Sequence, residues 1–126
     1  MPLAEDHITS RYSIQGYEPG QITINDQVHT ESLVLSPEQI FTPWLVNSVD
    51  DLLPENLSCI FALKPDVILL GTGEKQIFPS IEILGYFAQQ GVGVEVMNTG
   101  ALCRTFNILI AEDRHVVAAV IQPRLD

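Results

Sequence analysis

The chain has 126 residues, and 46% of them are apolar and spread along its whole length. This size and composition predict one ordered domain, residues 1–126, with its own hydrophobic core, and exclude a largely disordered chain. Sixteen acidic residues against six basic ones give a formal net charge of −10. Because such a charge repels phosphates and anionic lipid headgroups, we expect a soluble, acidic protein with no nucleic-acid partner.

The sequence predicts neither a membrane span nor a metal site. Its longest apolar runs are far shorter than the roughly 20 residues that cross a bilayer. The start from Met1 to Asp6 has no secretory signal pattern, so we expect a cytoplasmic protein. Cys59 and Cys103 form no ligand cluster with the three histidines. We therefore expect two buried free thiols, with no metal and no cofactor.

The first third of the chain has the two-residue alternation of half-buried strands. Apolar and polar residues alternate around Ile14 and again around Ile24, and Pro19-Gly20 supplies a turn between them. A third strand is expected from Val28 to Leu35, where Ser36-Pro37 ends it. Together these elements predict an N-terminal antiparallel meander.

The segment from Glu38 to Lys64 has a weaker pattern. Ser48, followed by two acidic residues, is typical of a helix start, although Pro54 argues against a long helix there. Trp44 is expected to pack in the core, with a partner surface as the alternative.

The second half has the pattern of a parallel sheet. Val67 to Leu70 is a continuous apolar run of the kind found in strands covered on both faces. Ser80 is the expected cap of a helix that ends near Gly91, and a stripe of four residues is expected to face the core: Ile81, Leu84, Phe87 and Ala88. A second strand follows through Val92, Val94 and Val96.

A second helix and a last strand complete this half. Thr99 is the expected cap of the helix, whose apolar stripe is Leu102, Phe106, Leu109 and Ile110. The last strand runs from His115 to Ile121. The order β-α-β-α-β predicts parallel strands with right-handed crossovers. We therefore expect an α/β fold, a single layered domain with a mixed β-sheet, in which the meander and the β-α-β-α-β half share one core.

A candidate binding crevice follows from this topology. Gly71-Thr72-Gly73 and Asn98-Thr99-Gly100 each follow a predicted parallel strand, and ligands of open α/β sheets bind at the carboxyl ends of the strands. The first loop is not a complete dinucleotide fingerprint, because Gln76 stands where the third glycine is needed. We expect no bound nucleotide.

Two basic residues are placed to hold an anion in this crevice. Arg104 is expected near the start of the second helix, where the helix dipole disfavours a cation, so that a bound anion would offset the cost. Lys75, in the neighbouring loop, would add a second positive charge. The alternatives are a salt bridge from Arg104 to an acid such as Glu74 or Glu95, or a buried ion pair.

Catalytic chemistry has weaker support in the sequence. Cys103 lies beside Arg104 near a helix start, an environment that can lower the pKa of a thiol. Nothing in the spacing brings a base to it, although His29 or His115 could approach in the fold. Serine hydrolase signatures are absent. We therefore assign no catalytic residue.

Three segments, in this order and with suitable spacing, resemble one known family. They are Pro65 to Gly73 (PDVILLGTG), Gly93 to Thr99 (GVEVMNT) and Ala101 to Leu109 (ALCRTFNIL), and the similarity extends from Ile14 to Val120. The chain resembles the domain-of-unknown-function family four-nine-eight. The resemblance implies a layered fold with a mixed sheet. It implies no activity, although one member of the family is a mitochondrial assembly factor for respiratory complex I.

The resemblance and the crevice together predict a binding function. We expect a protein-binding or assembly factor without enzymatic activity, which recognises a partner segment or its acidic end. The alternative is a protein that binds, or an enzyme that acts on, a small anionic metabolite. The candidate binding residues are Gly71, Thr72, Gly73, Lys75, Met97, Asn98, Thr99, Cys103, Arg104 and Asn107.

Overall fold

The computed structural model describes residues 11–123, and this part of the chain contains eight strands and three α-helices. A short 3-10 turn, Val49–Asp51, precedes the first helix. In chain order the elements are β1 Ile14–Glu18, β2 Gln21–Ile24, β3 Gln27–His29, β4 Leu33–Leu35, β5 Ile40–Phe41, α1 Pro54–Phe61, β6 Val67–Gly71, α2 Ile81–Gln89, β7 Val94–Met97, α3 Thr99–Ala111 and β8 Val116–Val120.

The N-terminal strands form the predicted antiparallel meander. β1, β2 and β3 make a three-stranded sheet in that order. The strand predicted from Val28 to Leu35 is wrong in one respect, because it is two strands in different sheets. The chain leaves the small sheet after His29 and enters the larger one at Leu33. The buried hydroxyl of Ser32 holds this crossing, since it donates to the carbonyl oxygen of Val46 at 2.6 Å.

The larger sheet has five strands in the order β5-β4-β8-β6-β7. β8, β6 and β7 are parallel to one another, as the β-α-β-α-β pattern predicted. β4 and β5 add an antiparallel edge next to β8. The prediction of an α/β fold with a mixed sheet is therefore confirmed.

The five-stranded sheet is covered on both faces, which gives two core clusters, and the second of them joins the meander to the β-α-β-α-β half as expected. Side chains alternate along β6, so that Ile68 and Leu70 belong to one cluster and Leu69 belongs to the other. Helices α1 and α2 cover the first face. Helix α3 and the small sheet cover the second. The N-terminal meander thus packs against a helix from the far end of the sequence.

The predicted apolar stripe of α2 is wrong in part. In α2, Ile83 and Phe87 are buried, whereas Ile81 and Ala88 of the predicted stripe are exposed. The ring of Phe87 packs against Phe61 at the end of α1, with the two ring centroids 5.6 Å apart. Ser80 caps α2 as predicted, because its hydroxyl accepts the N–H of Ile83.

The middle of the chain is ordered by polar contacts. The helix start predicted at Ser48 is only the 3-10 turn, and α1 begins at Pro54, since a proline is tolerated in the first helical turn. Trp44 is buried as predicted, and its indole N–H donates to the carbonyl oxygen of Asn56 at 2.9 Å. Cys59 is only half-buried, in contrast to the prediction, and Cys103 is buried.

Candidate functional site

The loops after β6 and β7 meet at the carboxyl edge of the sheet, as predicted. Gly71 and Met97 are paired at the ends of these parallel strands, and the N–H of Thr72 donates to the carbonyl oxygen of Met97 at 3.1 Å. Beyond them, the N–H of Thr99 donates to the oxygen of Gly73 at 2.8 Å. The N–H of Gly73 donates in return to the Thr99 hydroxyl at 2.9 Å. The two loops are therefore one hydrogen-bonded unit.

Gly71 allows α3 to lie against the end of β6. A Cβ atom at this position would lie 2.9 Å from Cδ1 of Leu102 and 3.0 Å from the hydroxyl oxygen of Thr99. The first distance is shorter than real Cβ contacts and the second is tighter than most of them, so a side chain here would force α3 to shift. The glycine is thus required for packing between a strand and a helix, and it presents no surface to a ligand.

The loop after β6 is held in place by Thr72. Its hydroxyl donates to the carbonyl oxygen of Lys75 and accepts the N–H of Ile77 at 3.0 Å. Gly73, in the same loop, has φ +96°, a conformation that favours glycine. Thr72 and Gly73 are both buried, so the loop presents mainly the residues that follow them.

The helix cap predicted at Thr99 is wrong, because Asn98 caps α3. The side-chain oxygen of Asn98 accepts the N–H of Ala101 at 2.8 Å. Thr99 is the first helical residue, and its fully buried hydroxyl is used by Gly73. Both residue types are good caps. The pairing with Gly73, which lies on another loop, decided between them.

Asn107 joins α3 to the small sheet. Its side-chain oxygen accepts the N–H of Ile14 at 3.0 Å, and its amide nitrogen donates to the oxygen of the same residue at 2.7 Å. This pair of bonds is what a neighbouring β-strand would supply. The amide of Asn107 is therefore occupied within the fold.

Two clefts lie at this edge, and Tyr17 lines both of them. The Lys75 cleft has a volume of about 390 Å³, and its lining residues are Tyr17, Pro19, Gly20, Thr72, Gly73, Glu74, Lys75, Ile77, Ile121, Gln122 and Pro123. The Arg104 cleft has a volume of about 300 Å³, and its lining residues are Ile14, Gln15, Gly16, Tyr17, Gly100, Cys103, Arg104 and Asn107.

The residues predicted for one crevice are thus divided. Thr72, Gly73 and Lys75 line the first cleft, and Cys103, Arg104 and Asn107 line the second. Four of the predicted residues line neither of these two clefts: Gly71, Met97, Asn98 and Thr99. The two basic side chains that were expected to hold one anion together therefore belong to different clefts.

Arg104 is exposed and makes none of the expected ion pairs. Within residues 11–123, the salt bridge that the structure shows joins Arg11 and Asp113 at 3.6 Å. The predicted alternatives, a bridge to Glu74 or Glu95 and a buried ion pair, are therefore wrong. Arg104 is also the sixth residue of α3, where the helix dipole has little effect, because that effect is confined to the first turn.

Cys103 lies on the buried face of α3 as a neutral thiol. Its side chain is only 8% exposed, and burial raises the pKa of the thiol to about 11, against a smaller opposing effect of Arg104. No histidine is among the described residues that line the Arg104 cleft. A protonated thiol is a poor nucleophile, so the geometry does not support the alternative of a reactive cysteine.

Tyr17 and Gln122 line the site but were not among the predicted residues. Burial raises the pKa of the Tyr17 hydroxyl, and the nearby carboxylate of Glu74 raises it further. Gln122 is 2% exposed, and its amide nitrogen donates to the carbonyl oxygens of His29 and Glu31. Gln122 could have been found from the sequence, because it is a polar residue directly after the apolar strand predicted from His115 to Ile121. No sequence signal marked Tyr17, because its position at the site depends on the packing of the two sheets.

Residues 11–123 contain no group of three or more His, Cys, Asp and Glu side chains that could hold a metal ion. Within the same range, none of the helices has both the length and the apolar character that a membrane crossing requires.

Known proteins similar to this chain include a bacterial protein and a eukaryotic assembly factor. The chain is 31% identical over 122 residues to the 13 kDa major membrane protein of Francisella tularensis subsp. holarctica (strain LVS), covering 96% of this chain and 99% of that protein. It is 36% identical over 124 residues to NADH dehydrogenase (ubiquinone) 1 alpha subcomplex assembly factor 3 of Xenopus tropicalis. That match covers 97% of this chain and 64% of the assembly factor.

A solved structure and a family model agree with these similarities. The NMR structure of Xanthomonas campestris XCC1710 has a TM-score of 0.87 and 36% sequence identity, covering 100% of this chain and 96% of that one. The model of a family described as "Protein of unknown function (DUF498/DUF598)" matches residues 14–121. With its fold and nearly its whole length matched, the chain belongs to the DUF498/DUF598 family.

Proposed function

We propose that this chain is a protein-binding domain of the assembly-factor type, with no catalytic function. The observation that carries the proposal is a group of exposed apolar side chains beside the Lys75 cleft. Ile77 is 50% exposed, Phe78 61% and Ile81 84%, all within five residues. We call Ile77, Phe78 and Ile81 the apolar segment. Exposed apolar groups of this kind are typical of protein–protein interfaces.

The apolar segment is ordered before any partner arrives. The N–H of Ile77 is bound by the Thr72 hydroxyl, and Pro79 is buried. At the other end, Ser80 caps α2 directly before Ile81. Binding would therefore cost little conformational entropy, which favours a docking surface over an accidental exposure of apolar groups.

The relatives support a protein partner. The Xenopus tropicalis protein, 36% identical to this chain, is named as an assembly factor, and proteins with the same name from other animals are also similar. The chain spans only 64% of the Xenopus tropicalis protein. The partner of this chain is therefore not inferred from that protein, and the experiment below is designed to identify it.

Substitutions in the apolar segment test this docking surface. Native complexes would be captured from a lysate of the source organism with the wild type, with Phe78→Ser plus Ile81→Ser, and with Ile108→Ser. Ile108 is a matched control, because it is 58% exposed but lies on α3. We expect a stoichiometric partner that the double variant loses and the Ile108 variant keeps. A folded double variant that binds the same partner as well as the wild type does would contradict the proposal.

A second candidate function is the binding of a small anion in the Arg104 cleft. The observation that favours it is the exposed guanidinium of Arg104, which has no carboxylate within 4.0 Å among residues 11–123. A screen of anionic metabolites by thermal shift tests it. A ligand at 100 times its dissociation constant should stabilise the fold by about 2.7 kcal/mol, and Arg104→Ala should abolish that gain.

The proposal includes a cytoplasmic location. Cys59 and Cys103 are both free thiols, which suits a reducing compartment. Fractionation of cells of the source organism tests this part, and recovery of the protein with the membranes after a high-salt wash would argue against it.

A further inference from the structure

The apolar segment belongs to a larger exposed surface at the carboxyl edge of the five-stranded sheet. Helix α2 begins at this edge, since it follows the loop after β6. Helix α1 begins there as well. Trp44 donates its indole N–H to the oxygen of Asn56 in the first turn of α1, and its main-chain N–H to the oxygen of Ser32, beside the end of β8. The starts of two helices that cover the same face of the sheet therefore flank one surface.

Most of the strongly exposed apolar side chains lie at this edge. Residues 11–123 contain eight large apolar side chains that are at least half exposed, and five of them are here. Three form the apolar segment, and the other two, Leu45 and Leu53, lie beside the start of α1. The Lys75 cleft adjoins them through Ile77, and its lining is largely apolar. Such a cleft can receive a large apolar side chain of a partner.

Exposed carboxylates lie in each of the segments that form this edge. They include Glu18, Glu31, Asp50, Glu55, Glu74 and Glu82. None of these side chains is in a salt bridge within residues 11–123. Glu74 also lines the Lys75 cleft, and Glu82 follows directly after Ile81 of the apolar segment. The apolar surface thus has an acidic rim.

Basic residues are distributed differently. Three of them lie at the opposite edge of the sheet, in or beside the loops that precede β6 and β8: Arg11, Lys64 and Arg114. The other two described basic residues are Lys75, in the cleft, and Arg104, which lies on α3 against the other face of the sheet. Together with the net charge of −10, this uneven distribution makes the carboxyl edge attract positive charge and repel negative charge.

We infer that the carboxyl edge docks a basic, amphipathic segment of the partner protein. An apolar side chain of this segment enters the Lys75 cleft, and further apolar groups cover Phe78 and Ile81. Its lysine or arginine side chains face Glu74 and Glu82. This inference rests on the proposed docking at the apolar segment and adds the chemical character of the partner. An acidic segment would be repelled by the rim, and a neutral one would gain nothing from it.

A titration of the full chain with a model peptide, followed by NMR, tests the inference. The probe is an amidated peptide of roughly 18 residues, built from leucine and lysine so that all leucines fall on one face of a helix. We expect saturable binding with the largest amide shifts at Glu74, Ile77 and Ile81, and small shifts at Lys64 and Arg114. A peptide of the same composition in scrambled order is the matched control probe. It should bind about tenfold more weakly, because its apolar groups no longer share one face.

Two double variants locate the charge effect. Glu74→Lys plus Glu82→Lys should weaken the amphipathic probe by about tenfold in about 0.1 M salt, because the rim would then repel it. Glu38→Lys plus Glu112→Lys is the matched control, since it changes the net charge equally at exposed positions of the opposite edge, and it should weaken the probe by about threefold at most. Salt at about 1 M should remove the difference, because the screening length falls from about 10 Å to about 3 Å.

Several outcomes overturn the inference. They are the absence of saturable binding, equal binding of the scrambled peptide, largest shifts at the opposite edge, and equal weakening by the two charge-reversed variants. Capture of the native partner with Phe78→Ser plus Ile81→Ser does not depend on the peptide. Loss of the partner in that variant, together with failure of the probe, would retain the docking surface and reject the basic character of the partner.

Discussion

The environment of Cys103 in the fold differs from the one that its position in the sequence suggests. The sequence places it beside a cation near a helix start, where thiols are often activated. In the fold its side chain lies on the buried face of α3, in the core cluster with Leu102 and Phe106, and burial outweighs the effect of Arg104 on the pKa. Desolvation has the larger effect on the thiol pKa because the Arg104 side chain is exposed to solvent, where its charge is screened.

The pH dependence of stability should report this buried thiol. The pKa of Cys103 rises from 9.0 to about 11 on folding. Below pH 9 both states keep the proton; between these two values only the unfolded state loses it, so the free energy of unfolding falls as the pH rises. Urea denaturation across that range should show a steeper fall for the wild type than for Cys103→Ala. Equal slopes would contradict the raised pKa. The comparison with the variant is needed because Tyr17 and Cys59 also have raised pKa values.

At the scale of elements, the close approach of α3 to the end of β6 organises the site. Gly71-Thr72-Gly73 was predicted from the sequence as a ligand loop because it follows a buried strand. The prediction of its place at the carboxyl edge is confirmed, but Gly71 makes room for Leu102 and Thr99. A glycine pattern after a strand cannot distinguish a turn for a ligand from a turn for a helix, since both need a missing side chain.

Replacement of Gly71 tests this packing role. Gly71→Ala should lower the free energy of unfolding by about 1–3 kcal/mol, because the new methyl group overlaps Leu102 and Thr99 at the helix contact. Gly16→Ala is the matched control, since a Cβ there meets nothing within 4 Å. It should change stability by about 0.5 kcal/mol or less. Urea denaturation measures both, and similar losses in the two variants would show that the helix contact is not what requires the glycine.

At the scale of the whole molecule, the five-stranded sheet separates the two core clusters and its middle strands are the best protected. β8 is buried at every residue, and β6 at all but its first. β3 and β5 lie at sheet edges and are mainly exposed. The fold is therefore expected to be most resistant to local unfolding where the sequence is most continuously apolar.

Hydrogen exchange should follow this order. The amides of residues 68–70 and 117–119 should exchange only through global unfolding, because both faces of their strands are covered. The amides of β3 should exchange several orders of magnitude faster, since local opening at an edge costs little. Mass spectrometry of exchanged peptides measures both, and equal protection in β3 and β6 would contradict the layered account.

The sequence by itself determined the elements whose cause is local. Alternating and continuous apolar runs predicted β1, β2 and the parallel strands β6, β7 and β8, because the spacing of apolar residues follows directly from which faces of a strand are buried. Charge and composition predicted an acidic protein. Three sequence segments, which appear in the order and spacing of the family, predicted the family. Ser80 was also predictable, since a cap depends on residues three positions apart.

Only the tertiary structure decided where distant segments meet. The change of sheet near Ser32, the cap at Asn98 and the two clefts beside Tyr17 each depend on partners elsewhere in the chain. Asn107 is the clearest case, because its amide is bound by Ile14, 93 residues away in sequence. Such contacts are selected by the packing of layers against one sheet, and no local period or spacing encodes which residues that packing brings together.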